Sequence, residues 1–215
     1  SARPEDVASL FPDSRFIGRA FGVVQVRHAN RSYEVATFRT DSDYRDGRHP
    51  GRVDFATAEE DARRRDFTVN GLFFDPAADR VIDFVAGQAD LVARCIRAIG
   101  TPERRFREDR LRLLRAVRFA ATLGFHIEPR TAAAIRAQAG DVTGVSPERI
   151  RVECARLLME SPRAGDAVAL LREMGLLRAL LPEVDALAGQ EQPPAFHPEG
   201  DVFAHTVKLL NGMEK

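Results

Sequence analysis

From Phe106 to Arg118 the chain reads Phe-Arg-Glu-Asp-Arg-Leu-Arg-Leu-Leu-Arg-Ala-Val-Arg, with Glu108 and Asp109 just ahead of Arg112, Arg115 and Arg118. The stretch is predicted as one helix. On such a helix Asp109 and Arg112 stand about 60° apart around the axis, on neighbouring turns. Together they can offer one acceptor and one fork of donors to a single flat ligand. A carboxylate accepting from an exocyclic amino group, beside a guanidinium donating to a ring nitrogen or carbonyl, suits cytosine and adenine and mismatches guanine and uracil. The plainer alternative is a solvated, salt-bridged face. Glu108 and Arg112 make an (i, i+4) pair worth only about 0.2–0.5 kcal/mol, and the helix dipole favours Asp109 in the first turns. Leu111 and Phe119 fall among the arginines, so this face is expected to be partly closed to water, where arginines serve phosphates or bases.

A second cluster is Arg63-Arg-Arg-Asp-Phe-Thr-Val-Asn70, at a predicted helix-to-strand transition. It reads either as a charged helix end with Asn70-Gly71 as cap and turn, or as a triphosphate clamp. In the clamp Arg65 is the fixed donor, with Asp66 and Asn70 positioning it. Glu34, on a predicted strand between Tyr33 and Val35, is a third candidate. A lone strand carboxylate ordinarily faces solvent, but phosphoryl and nucleotidyl transfer commonly use two or three carboxylates to grip a pair of Mg²⁺ ions.

The elements that must position these groups change character along the chain. Strands are predicted at Phe16–Gly18, Gly22–Arg27 and Tyr33–Phe38, with a turn near Asn30. A polar, glycine-containing, mobile loop is expected over Thr40–Arg52. A helix follows at Glu59–Arg65. Next come a hairpin, Leu72–Asp75 with Arg80–Phe84 around Pro76–Asp79, a short helix at Gln88–Ala93 and a strand at Cys95–Ile99. After Thr101 everything reads helical: 103–123, 130–139, 147–160, 163–174, 176–187 and from 201 onward. Ser146-Pro147 and Ser161-Pro162 look like N-cap plus first-turn proline pairs, and Gly124, Gly140 and Gly175 like helix ends. Strands first and helices afterwards imply an α+β protein with a boundary near residue 100.

The 215 residues are 44% hydrophobic with a formal net charge of zero, so the chain has material for a core and is not basic overall. Charge is uneven, however: Arg94–Arg118 holds nine arginines against Glu103, Glu108 and Asp109, a local footprint for phosphates. Cys95 and Cys154 make no metal or redox spacing and read as reduced cytosolic thiols. No apolar run approaches the ~18–20 residues of a membrane span, and no signal-peptide pattern is present. The chain starts at Ser1 without Met and stops at Lys215 in a helical pattern; both ends read as cuts.

In order along the chain stand Gly18-Arg-Ala-Phe-Gly-Val-Val24, Glu34-Val-Ala-Thr-Phe-Arg39, Asp46-Gly-Arg-His-Pro50, Arg64-Arg-Asp-Phe-Thr-Val-Asn70 and Glu108-Asp-Arg-Leu-Arg112 through Arg118-Phe119. Any one block is weak. Five in order and spacing closely resemble the class II tRNA nucleotidyltransferase and bacterial poly(A) polymerase family. The resemblance implies a polymerase-β-like, antiparallel-rich head over residues 1–100. A helical neck and body that bind RNA and nucleotide would span 101–190, and a further helical region would start at 191–215. It implies that Asp109 and Arg112 select C and then A by Watson–Crick-like bonds. Arg65, Arg115 and Arg118 would bind the incoming nucleotide, mainly its phosphates, with Asp66 and Asn70 supporting. Glu34 would be the third carboxylate of the catalytic set, and 40–52 the loop that shifts the site from C to A addition.

The implied partners are CTP, ATP and a tRNA 3′ end held by shape and backbone contacts, in the cytoplasm. The implied cofactor is Mg²⁺. Its Asp-x-Asp ligands, and a Gly-Gly-x-Val-Arg-Asp block, would lie upstream of Ser1. No residue of the present chain is therefore assigned to metal, and the stretch is expected to be inactive alone. Gly71 stands where the family usually has alanine. Poly(A) synthesis, and A-only or CC-only addition, remain open because one template pair serves all of them; a non-catalytic RNA- or nucleotide-binding module is the alternative of another class. His197-Pro-Glu-Gly-Asp-Val-Phe-Ala-His205 resembles the opening of an HD-type phosphohydrolase domain, a third possibility. The chain has no His-Asp dipeptide to complete such a site, so these read as structural histidines at a helix start.

Overall fold

The computed structural model describes residues 2–18, 22–42 and 52–213. The chain forms two compact units, Ser1–Arg65 with Asn70–Val85, and Asp66–Val69 with Ala86–Lys215.

The first unit is built on antiparallel strands. β1 (Ser14–Gly18), β2 (Val23–His28) and β3 (Arg31–Ala36) form one sheet in that order. Val24 and Val26 of β2 are buried against Val7 of α1 (Pro4–Leu10). The two-residue period sends Gln25 and Arg27 to the opposite face. At the β2–β3 turn Ala29 and Asn30 have φ of 48° and 62°, the left-handed pair that a two-residue hairpin requires. β4 (Arg39–Ser42) pairs with β5 (Arg52–Phe55). The expected loop over 40–52 is thus strand at both ends, because cross-strand hydrogen bonding there outweighs polar composition; residues 43–51 lie outside the described residues. α2 (Ala58–Arg64) opens with a capping box, Thr57 Oγ1 accepting from Glu60 N at 3.3 Å and Glu60 Oε2 from Thr57 N at 2.8 Å. β6 (Leu72–Asp75) and β7 (Arg80–Asp83) form the predicted hairpin, and Phe73 meets Phe38 and Phe84 edge-on.

The second unit is helical. α3 (Gly87–Val92) leads into β8 (Cys95–Ile96), which pairs in parallel with β9 (His126–Ile127). Between them run α4 (Pro102–Glu108) and α5 (Leu111–Leu123). There follow α6 (Pro129–Gln138), α7 (Pro147–Glu160), α8 (Ala164–Glu173), α9 (Leu176–Leu180), α10 (Pro182–Asp185) and α11 (Val202–Gly212). Phe67, Ile96, Leu113, Val117, Ile135, Leu157 and Leu177 share one core and are fully buried. By their contacts residues 86–100 group with the helices: Ile96 packs into the helical core, and β8 finds its partner in β9.

Helix boundaries depart from expectation where capping chemistry decides them. The predicted helix over 176–187 breaks at Leu181, which precedes Pro182 and takes a φ of −140°. Ser161 closes α7 rather than opening α8, whose N-cap is Arg163. Gly124 and Gly175 do adopt left-handed φ of 66° and 77° at helix ends, whereas Gly140 lies inside a 3₁₀ turn, Ala139–Gly144.

Gly165 sits where α8 meets α11. A β-carbon there would lie 2.0 Å from the Val207 carbonyl oxygen and 2.9 Å from Asn211 Cγ. Backbone cannot yield as a side-chain tip can, so Gly165→Ala should destabilise by about 1–3 kcal/mol. A urea or thermal melt checks this, and an unchanged midpoint would mean that α11 is not seated on α8 as described. No helix among the described residues is long and apolar enough to cross a membrane.

Candidate functional site

The predicted single helix from Phe106 to Arg118 is two helices. α4 ends at Glu108, Asp109 is extended (φ −146°, ψ 105°), and α5 begins at Leu111. The physical reason lies in Asp109. Its Oδ1 accepts from Leu111 N at 3.1 Å and its carbonyl from Arg112 N at 3.0 Å. A short acid competes in this way with continuing helix, its side chain taking the first backbone N–H of the next one. The 60° argument for Asp109 and Arg112 fails accordingly. They are adjacent instead as corner residue and first-turn residue.

Both members of the pair are held. Asp109 takes Arg149 Nη2 on Oδ1 and Oδ2 at 3.2 and 3.0 Å. With Leu111 N this uses three of a carboxylate's roughly four lone-pair sites and leaves about one, on Oδ2. Arg112 donates from Nη1 to Glu108 Oε2 at 3.1 Å and to the Arg105 carbonyl at 3.2 Å. Glu108 also receives Arg104 and Arg105, at 3.0 and 2.7 Å. Burial pushes the Glu108 carboxyl up, but Arg105 and Arg112 outweigh it and hold the group below the usual carboxylate range. Arg112 is 11% exposed as a side chain and Asp109 19%, so the corner is a restricted opening rather than a solvated face.

Further along α5, Arg115 Nε donates to Asp66 Oδ2 at 2.9 Å, and its Nη1 lies 3.5 Å from Glu153 Oε1. Arg118 Nε donates to Glu153 Oε2 at 2.6 Å, and its guanidinium covers the Phe119 ring at 4.1 Å. Arg115 is 29% exposed, Arg118 only 3%. Arg115 can reach a ligand; Arg118 is closed in and acts on Arg115 through the carboxylate they share. Asp66 therefore positions Arg115, not Arg65. Arg65 is held by Asp61 Oδ2 at 3.0 Å and by the Asn70 carbonyl at 2.8 Å, 4.6 Å over the Phe73 ring. Asp61 is almost fully buried and also receives Arg64 at 2.7 Å. Burial raises its carboxyl, but Arg64 and its other donors prevail and lower it. Glu34 is exposed on β3, opposite Gln25.

Three positioning carboxylates escaped the sequence argument or were misassigned. Asp61 stands four residues before Arg65, an (i, i+4) signal that was there to read. Glu153 lies four residues before the fully buried Leu157 on α7, an acid on a core-facing stripe, which is itself a sign of a buried partner. Asp66 had no local signal for Arg115, 49 residues away. The basic stretch 94–118 also looks different in three dimensions: Asp66, Asp90, Glu128, Glu153 and Glu160 come from elsewhere to pair with Arg115, Arg97 and Arg118. The footprint is smaller than the linear count.

The chain is thus a strand-rich unit followed by a helical one, with a carboxylate–guanidinium corner and an arginine row on α5. Two family models match in that order: the poly A polymerase head domain over residues 1–97, and the probable RNA and SrmB-binding site of polymerase A over residues 124–187. The chain belongs to the poly(A) polymerase and tRNA nucleotidyltransferase family. It is 45% identical over 193 residues to the CCA-adding enzyme of Geobacillus stearothermophilus, covering 89% of this chain and 46% of that protein. It is 42% identical over 158 residues to that of Bacillus subtilis (strain 168), covering 73% and 40%. Its fold resembles the crystal structure of the Bacillus stearothermophilus CCA-adding enzyme in complex with CTP, with a TM-score of 0.79 and 40% identity, covering 88% of this chain and 46% of that one. The chain spans less than half the length of these relatives.

Proposed function

We propose that this chain is the nucleotide-choosing and RNA-holding part of a template-independent nucleotidyltransferase that adds C and A to tRNA 3′ ends from CTP and ATP. The observation that carries the reading is the likeness to a CTP-bound CCA-adding enzyme, in a chain whose α4–α5 corner offers an acceptor, Asp109, beside a donor fork, Arg112. Asp109 would accept from the amino group of cytosine or adenine, and Arg112 would donate to the neighbouring ring nitrogen or carbonyl. Arg115 would meet the triphosphate, pre-aimed by the buried carboxylate of Asp66; Arg65, held by Asp61, is assigned to the nucleotide on the resemblance alone. Residues 1–100 would serve as head and 101–190 as neck and body, with 191–215 starting a further helical region. In the reaction the RNA 3′-oxygen bonds to the α-phosphorus, the α–β bridging bond breaks and pyrophosphate leaves.

Mg²⁺ would supply charge neutralisation in that step. The described residues bring no set of three metal-ligating side chains together around Glu34, so they do not make up that site, and Glu34 is assigned only as a contributing carboxylate. By itself the stretch 1–215 is expected to bind nucleotide without transferring it. Work on tRNA fits a cytoplasmic location.

The test is incorporation. The full-length gene product should add labelled C and A from CTP and ATP, with Mg²⁺, to tRNA lacking its CCA end, and should stop after A. No incorporation of either nucleotide overturns the reading. Long runs of A alone would make it a poly(A) polymerase.

A further inference from the structure

Among the described residues of the helical unit six arginines are buried or half-buried: Arg105, Arg110, Arg112, Arg115, Arg118 and Arg149. Five of them meet a carboxylate. Arg105 and Arg112 lie 2.7 and 3.1 Å from Glu108, Arg115 2.8 Å from Asp66, Arg118 2.6 Å from Glu153 and Arg149 3.0 Å from Asp109. Arg110 is the exception. Among the described residues no hydrogen bond, ion pair or ring contact engages its side chain. Its neighbour Asp109 is already taken by Arg149 and by Leu111 N.

The place of its guanidinium is defined by a missing side chain. A β-carbon on Gly144 would stand 2.2 Å from Arg110 Nη1 and 3.3 Å from its Cζ, so the guanidinium lies on the bare backbone of that glycine. Gly144 ends the 3₁₀ turn Ala139–Gly144, between α6 and α7. It is exposed, so an incoming group can approach the guanidinium seated on it. Arg110 is the N-cap residue of α5 and thus carries a charge from the base-reading corner to the α6–α7 connection.

A half-buried guanidinium gives up part of its hydration, and without a partner nothing in the protein offsets that loss. Its planar fork of donors matches a phosphate group two bonds at a time. We propose that Arg110 binds a phosphodiester of the RNA strand whose 3′ end meets the incoming nucleotide. This rests on the RNA-holding role given above to residues 101–190. Arg110 directly follows Asp109, so a phosphate held there belongs to the part of the strand nearest the corner that reads the base. The five paired arginines have their charge answered within the protein; Arg110 keeps a full positive charge for the strand. Gly144 is a positioning residue in this arrangement, because any side chain there would push the guanidinium off its seat.

The test is the affinity of the full-length gene product for tRNA lacking its CCA end, read by fluorescence anisotropy over a salt series with no nucleotide present. Arg110→Ala should weaken binding about 10-fold, the low end for a hydrogen bond to a charged group. The slope of log K against log salt should fall by about 0.7–0.9, one phosphate contact. Arg110→Lys keeps the charge and should restore most of that slope. Gly144→Ala should weaken binding with the arginine still present, at little cost in stability, since only a side-chain tip must move. The melting temperature of Arg110→Ala should hold or rise, because an unpaired charge is removed, and KM for CTP and ATP should not change. Unchanged RNA affinity and salt slope in Arg110→Ala overturns the proposal. So does a raised KM for CTP and ATP with RNA binding intact, which would give Arg110 to the triphosphate instead. RNA binding is read without transfer, so failure here and failure of the incorporation test are separate results.

Discussion

Glu153→Ala should destabilise the helical unit by about 3–5 kcal/mol, the usual cost of removing one partner from a buried ion pair. At roughly 2–4 °C per kcal/mol for a unit of this size, the melting temperature should fall about 6–20 °C. Arg118 is the cause. Its side chain is 3% exposed and its shortest bond, 2.6 Å, goes to Glu153. Without that carboxylate a buried guanidinium is left with Glu160, 3.6 Å away, and the face of the Phe119 ring. The companion substitution separates charge from packing: in the double variant Arg118→Met, Glu153→Leu both charges go, and most of the lost stability should return. Arg115 would still lack its second anchor, so the double variant should be stable yet weak in nucleotide binding. If Glu153→Ala melts within about 1 kcal/mol of the parent, the α5–α7 junction does not depend on this pair.

Asp109→Ala is the second large effect, on choice rather than stability. One good base-edge pairing is worth about 1–3 kcal/mol of discrimination, so the preference of the full-length gene product for CTP and ATP over GTP and UTP should fall roughly 5- to 150-fold. Asp109 Oδ1 also accepts from Leu111 N at the start of α5 and the carboxylate holds Arg149, so some stability goes as well, about 0.5–1.5 kcal/mol for the hydrogen bond. Arg149→Ala distinguishes the two roles. It releases the same ion pair but keeps the carboxylate and its bond from Leu111 N, and should leave nucleotide preference largely intact at a smaller cost in stability. Measured as relative kcat/KM for the four nucleotides together with tRNA affinity, equal losses of selectivity and tRNA binding in Asp109→Ala would make Asp109 a structural residue only.

These expectations rest on unequal amounts of sequence information. The hairpins around Asn30 and Pro76 were legible because turn chemistry and two-residue alternation are local. The helices after Thr101 were legible because their apolar stripes are local too. The family was legible from five ordered blocks, whereas Asp109 and Arg112 were paired on a single-helix spacing that the corner does not keep. The break between them was harder to read: a helix-favouring run of Arg and Leu masks a single acid whose side chain takes the first backbone N–H of the next helix. At Leu181 the following proline was a signal, but the surrounding leucines and alanine read as continuous helix.

What the sequence alone determined is thus the inventory: strand-rich and helical parts in that order, an arginine-rich α5, and membership of a nucleotidyltransferase family. Only the tertiary structure decided which carboxylate serves which arginine. Asp66 turned out to serve Arg115 across 49 residues, Asp61 to serve Arg65, and Glu153 to bind Arg115 and Arg118 together, which closes Arg118 off and leaves Arg115 partly open. The reason is physical. Helix and turn propensities act over a few neighbouring residues, whereas a buried charge is satisfied by whatever opposite charge the packed core brings within about 3 Å, and that partner is chosen by the fold, not by nearness in the chain.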